Sequence, residues 1–148
     1  PLFFHELFTR ITRRLLSNPY NLLYRITMVN MDLPTAVKSY QFGERVKSEL
    51  IVTSQLCQAI TGFPEQERAG GKRMLLLLME QVRSECQFAV RSTGQGEFQK
   101  AINSLNEAIA LVESGQPDQA MAKIAQAVSA STTSAQLAWQ VLSEHGLL

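Results

Sequence analysis

Arg68, Lys72, Arg73 and Arg83 are the clustered positive charges outside the opening segment of the chain. Lys72 lies one helical turn beyond Arg68, Arg73 is adjacent to it, and Arg83 follows further along, so a helix running through them carries a basic patch towards one end. The chemistry such a patch offers is contact with phosphate, with little preference for sequence. Glu65 and Glu67 stand beside it and offset part of its charge, and acidic residues at a helix start answer the macrodipole without any partner. The stretch GFPEQERAGGKR, residues 62–73, therefore has two readings: a bend between two helices, or a docking surface for nucleic acid or a partner.

Other chemistry finds little to work with. Glu85 falls on the edge of an apolar arc, where a carboxylate is either buried with a raised pKa or, more simply, reaches solvent or pairs with an arginine. His5 and His145 stand near opposite ends and neither belongs to an E-x-x-H pair of the kind that carboxylate-bridged metal bundles use. No G-x-x-x-x-G-K-S/T, G-x-S-x-G or C-x-x-C is present, and Gly94-Gln95-Gly96 reads as a turn. No metal, no cofactor and no catalytic residue is expected. Cys57 and Cys86 lie on buried stripes about 17 residues apart in height across an antiparallel hairpin, roughly 25 Å, too far for a disulfide within one chain. Buried free thiols behave as small hydrophobes and suit a reducing, cytoplasmic setting.

The elements that carry these residues are helices. A chain of 148 residues suits one domain with a single core. Hydrophobic content of 45% with 18% charged residues is that of a globular chain. The longest apolar run, Met74 to Met79, is far short of the roughly 20 residues a membrane-spanning helix needs. From residue 34 the pattern predicts an all-α, antiparallel up-and-down four-helix bundle over 34–148, because short breaks between long helices force antiparallel neighbours. Val46, Leu50, Thr53, Cys57 and Ile60 form the first stripe, which Gly62 should stop by taking φ > 0. Leu75, Met79, Val82, Cys86 and Ala89 form a heptad-like second stripe, ending near Arg91. The third is Phe98, Ile102, Leu105, Ile109 and Val112, and the fourth is Met121, Ile124, Val128, Ser131, Ala135, Ala138 and Leu142. The fourth is small-sided in its middle, which lets a neighbour approach closely. Leu76 and Leu77 leave the second stripe and need cover, so they are the expected oligomer interface.

Residues 1–33 are a different material, a basic N-terminal helical extension. They carry Arg10, Arg13, Arg14 and Arg25 against Glu6 and Asp32, with Phe4, Phe8, Ile11 and Leu15 at helical spacing. The readings are a targeting or membrane-surface helix, a helix packed on the bundle, or an extension upstream of a start at Met28 or Met31. Net charge of +1 gives the chain no general affinity for nucleic acid or anionic lipid.

GFPEQER, followed about thirty residues later by FQKAINSLNEAIALVESG, resembles the four-helix-bundle family of proteins encoded in intervening sequences of ribosomal RNA genes. It is also similar to the accessory variability proteins of diversity-generating retroelements. The likeness covers residues 36–145. The Asn-Ile-Ala-Glu-Gly segment of the ribosomal branch is replaced here by FAVRSTGQG. The resemblance implies a non-enzymatic, ring-like homo-oligomer that, in the retroelement branch, contacts a reverse transcriptase and RNA or DNA, with Arg68 as the residue that carries over best. The expected function is thus a helical-bundle interaction protein, an oligomeric scaffold touching nucleic acid or a nucleic-acid enzyme. The alternative is a tetratricopeptide-like helical adaptor, since ESGQPDQAMAKIAQAV resembles one inter-helix corner of such a repeat, although a repeat array needs several at a fixed period.

Overall fold

A computed structural model describes residues 31–148. Four helices follow one another: α1 (Leu33–Thr61), α2 (Glu65–Thr93), α3 (Gly96–Glu113) and α4 (Pro117–Glu144). The described residues contain no strand, and Leu33–Leu148 form one compact unit. The fold is the expected all-α four-helix bundle. The helix expected around Phe4, Phe8, Ile11 and Leu15 lies outside the described residues.

Each break has a local cause. α1 stops without a left-handed residue, contrary to the expectation for Gly62: the amides of Gly62 and Phe63 donate back to the carbonyls of Ala59 and Ile60, a tightening of the last turn. Pro64 then opens α2, where its missing N–H costs nothing. α2 runs two residues past Arg91 and ends at Gly94, which takes φ 67° and donates to the Val90 carbonyl. Gly115 takes φ 79° after α3 while Gln116 N–H reaches back to the Leu111 carbonyl at 2.8 Å, the long bond of a Schellman ending, and Pro117 starts α4.

The first three apolar stripes are buried throughout. On α4 the buried face is rotated slightly from the expected one: Met121 and Val128 sit at its edge, and Ala120, Ala127, Ala130, Ser134 and Val141 are buried with the rest. Each helix packs on its neighbours in sequence, and α1 closes the ring on α4 with the most extensive pairing of all. That closure separates the bundle from a stack of repeats, where a first and last helix do not meet.

The α1–α4 contact is close because its residues are small. A Cβ at Gly43 would stand 2.9 Å from the Ala135 Cβ and 3.0 Å from the Ser131 carbonyl oxygen. α3 has 18 residues against 28 for α4 and 29 for α1, so the two longer helices run on past its start. With less cover there, they bury surface by approaching each other, through Ala36, Ser39 and Gly43 on one side and Ser131, Ala135 and Ala138 on the other. Phe98, in the first turn of α3, fills the space beneath, edge-on to Phe42 with ring centroids 6.4 Å apart.

Candidate functional site

The basic quartet does not form one free patch. Arg68 turns back over the bend: its Nε donates to the Phe63 carbonyl at 2.8 Å and Nη2 to the Thr61 carbonyl at 3.2 Å. It thereby satisfies the exposed carbonyl end of α1, where a cation also meets the negative end of the macrodipole. Lys72 does the same for α3, its Nζ donating to the Glu113 carbonyl at 2.5 Å. Arg83 pairs with Glu80 one turn away and donates to Asn106 Oδ1 on α3 at 2.9 Å. Only Arg73 of the four points outward with no hydrogen bond or ion pair among the described residues. Gly71 completes the bend, since a Cβ there would press on the Phe63 ring at 3.0 Å. Phe63, Arg68, Gly71 and Lys72 of GFPEQERAGGKR thus have architectural partners within the chain.

Between α1 and α2 lies a second charged group that sequence reasoning found only in part. Arg45 forms an ion pair with Glu85, whose side chain is 16% exposed, and the same guanidinium stacks over the Phe42 ring at 5.4 Å. Glu85 therefore pairs with a bundle arginine, the simpler of its two readings. Glu49, one turn from Arg45 on α1, was not singled out by its position in the sequence. Its Oε2 is buried with no hydrogen-bond partner, and burial first, then the neighbouring Glu85 charge, pushes its carboxyl above the usual range against the opposing pull of Arg45. Cys86 borders the group, and burial with the two carboxylates pushes its thiol up to about 12. Cys57 is likewise raised to about 11, chiefly by burial. Both cysteines are free and buried, inert thiols without nucleophilic character at neutral pH. No group of three or more metal-ligating side chains occurs among the described residues.

The sign of the Glu49 effect follows from proton linkage. A carboxyl whose folded pKa is raised keeps its proton longer in the folded state, so its contribution to stability falls as pH rises from its ordinary value of 4.5. Glu49→Gln should accordingly raise the melting temperature at pH 7 by a few degrees and bring little gain near pH 4. Thermal melts of parent and variant across that range check it; an equal shift at both pH values would assign the effect to something other than the charge.

The solvent side of α2 carries the feature that distinguishes this bundle. Met74, Leu77, Gln81, Ser84 and Phe88 recur at spacings of three and four residues, all exposed and uncharged as far as Arg91, the next position in the row, whose guanidinium lies over the Phe88 ring at 4.7 Å. A helix face turned to water is ordinarily the charged one. Here Met74 is 68%, Leu77 65% and Phe88 56% exposed. The Arg45–Glu85 pair marks the register of α1 against α2, in which Leu56 is level with Met74, each 11 residues from its member of the pair. Leu56 and Val52 are also exposed, on the side of α1 from which Arg45 reaches Glu85.

No family model, characterised protein or solved structure matches the chain.

The two leucines expected to share an interface are separated by this geometry. Leu76 is half-buried and packs against the core, whereas Leu77 stands in the exposed row. The physical reason is the 100° step between consecutive helical residues, which turns Leu76 towards α3 and Leu77 outward. Among the described residues no helix is long and apolar enough to cross a membrane.

Proposed function

We propose that the protein is a non-catalytic interaction scaffold that associates with a second copy of itself through the outer row of α2. The observation that carries this reading is the uncharged row Met74, Leu77, Gln81, Ser84 and Phe88, a seam with the three-and-four spacing on which helices pair. The row is close to symmetric about Gln81, with Met74 seven residues before it and Phe88 seven after. Two copies laid antiparallel would therefore set Met74 against Phe88 at both ends and Gln81 against Gln81 on the two-fold axis, an isologous contact. Two amides there can satisfy each other, each offering a donor and an acceptor. Nucleic acid is the less favoured partner, because the quartet forms no continuous patch: Arg83 is paired with Glu80, and Arg68 and Lys72 turn into the end of the bundle, away from Arg83.

Light scattering of the full chain at micromolar concentration tests the proposal. The parent should have at least twice the monomer mass. Gln81→Lys and Gln81→Glu should each lower it by placing like charges on the axis, and an equal mixture of the two should recover it. A monomeric parent overturns the proposal, as would a mixture that stays monomeric while the parent associates.

A further inference from the structure

A second feature, independent of the outer row, lies at the end of the bundle where the α1–α2 and α3–α4 breaks meet. A cleft of about 320 Å³ opens there, and all four helices contribute to it. Pro117 from the start of α4 lines it with apolar surface, above a floor at Ile60 from the last turn of α1 and Val112 from the last turn of α3, both almost wholly buried. Arg68 and Lys72 from α2 and Asp118 from α4 bring charge to the same space. Its volume falls within the lower range of small-molecule sites, which combine apolar walls with a few placed polar groups.

The charges are not balanced. None of the three takes part in an ion pair among the described residues. The partners of Arg68 and Lys72 are neutral carbonyls, which use some of their donors and leave their charge in place. Arg68 keeps Nη1 and Lys72 keeps two further N–H bonds for another acceptor. Two positive charges against the single negative charge of Asp118 give the cleft a net charge of +1. From this balance and the apolar walls we infer that the cleft binds a small aliphatic carboxylate, its head towards Arg68 and Lys72 and its chain against Ile60, Val112 and Pro117.

Octanoate, octanol and octylammonium share a chain and differ in the charge of the head, so titrating each into the full-length protein separates recognition of the anion from general greasiness. Amide chemical shifts report the site. Octanoate should bind saturably and move the resonances of Thr61, Val112 and Gly115, with octanol and octylammonium several-fold weaker. Lys72→Gln should weaken octanoate by about threefold and Asp118→Asn should tighten it by a similar factor, the scale of one exposed charge. The two variants act in opposite directions, so a damaged fold cannot imitate the pair, and far-UV circular dichroism confirms that each remains helical. Equal affinity for all three probes overturns the inference, as do shifts confined to the outer row of α2, or an Asp118→Asn variant that binds octanoate no better than the parent.

Discussion

Gly43→Ala should lower the melting temperature, although alanine is the better helix former. The added methyl would stand 2.9 Å from the Ala135 Cβ and 3.0 Å from the Ala135 nitrogen and the Ser131 carbonyl oxygen, and the last two are backbone that cannot rotate away. Overpacking of this kind costs about 1–3 kcal/mol, and the gain in helix propensity returns about 1 kcal/mol. The net loss corresponds to a drop of about 4 °C, and Gly43→Leu should lose more than twice as much because α1 and α4 must then part. Adding Ala135→Gly to the alanine variant should recover part of the loss, since it removes one of the three contacts and leaves the two to backbone. Thermal melts followed by circular dichroism read all three variants. An alanine variant as stable as the parent would mean that α1 and α4 can separate at this point without cost.

Phe98→Ala should have the largest effect of any single truncation in the core. Phe98 is the largest of the fully buried side chains among the described residues, it lies where α3 begins, and its ring meets Phe42 at an interplanar angle of 77°. Truncating a buried phenylalanine costs about 3–5 kcal/mol, a large share of the roughly 5–15 kcal/mol that holds a domain together. Urea denaturation should show the midpoint falling sharply for Phe98→Ala and much less for Phe42→Ala, because Phe42 is only half-buried and part of its ring already meets water. Equal losses at the two positions would place the strength of the contact in the ring pair and not in the burial of Phe98.

These two residues also mark what a linear sequence can and cannot disclose. Phe98 heads a stripe with helical spacing, and its burial was legible from that period alone. Gly43 falls on the extension of the first stripe, yet nothing in its neighbourhood announces a close approach, because the partner lies on α4, some ninety residues away. Arg68 shows a related limit: its place in a turn could be read, but the carbonyls it holds belong to the end of the preceding helix and depend on how the chain bends. Glu49 is not legible in the sequence because its environment comes from burial and from Glu85 on another helix, and the register between the two is a product of folding. Leu76 and Leu77 were legible as surplus apolar residues. Their separation into a packed and an exposed side chain depends on where α3 lies, which the period of α2 does not contain. The uncharged outer row was present in the sequence throughout, and the signal that finds it is the absence of charge at a second set of positions with the same spacing as the core stripe.

The closure of α1 on α4 bears on how the chain acquires its structure during synthesis. The most extensive pairing in the bundle joins the first and last of its helices, so the seam through Gly43 and Ala135 cannot form until α4 has left the ribosome. Until then α1 carries Val46, Leu50 and the rest of its stripe with only part of their final cover. Contacts between distant segments delay the folding of a chain that local contacts would otherwise let fold quickly, and exposed apolar stripes on a nascent chain are where premature association begins. The small residues of that seam limit the hazard: alanine, serine and glycine offer little greasy surface to a passing chain, and they become a tight contact only when the one complementary helix arrives.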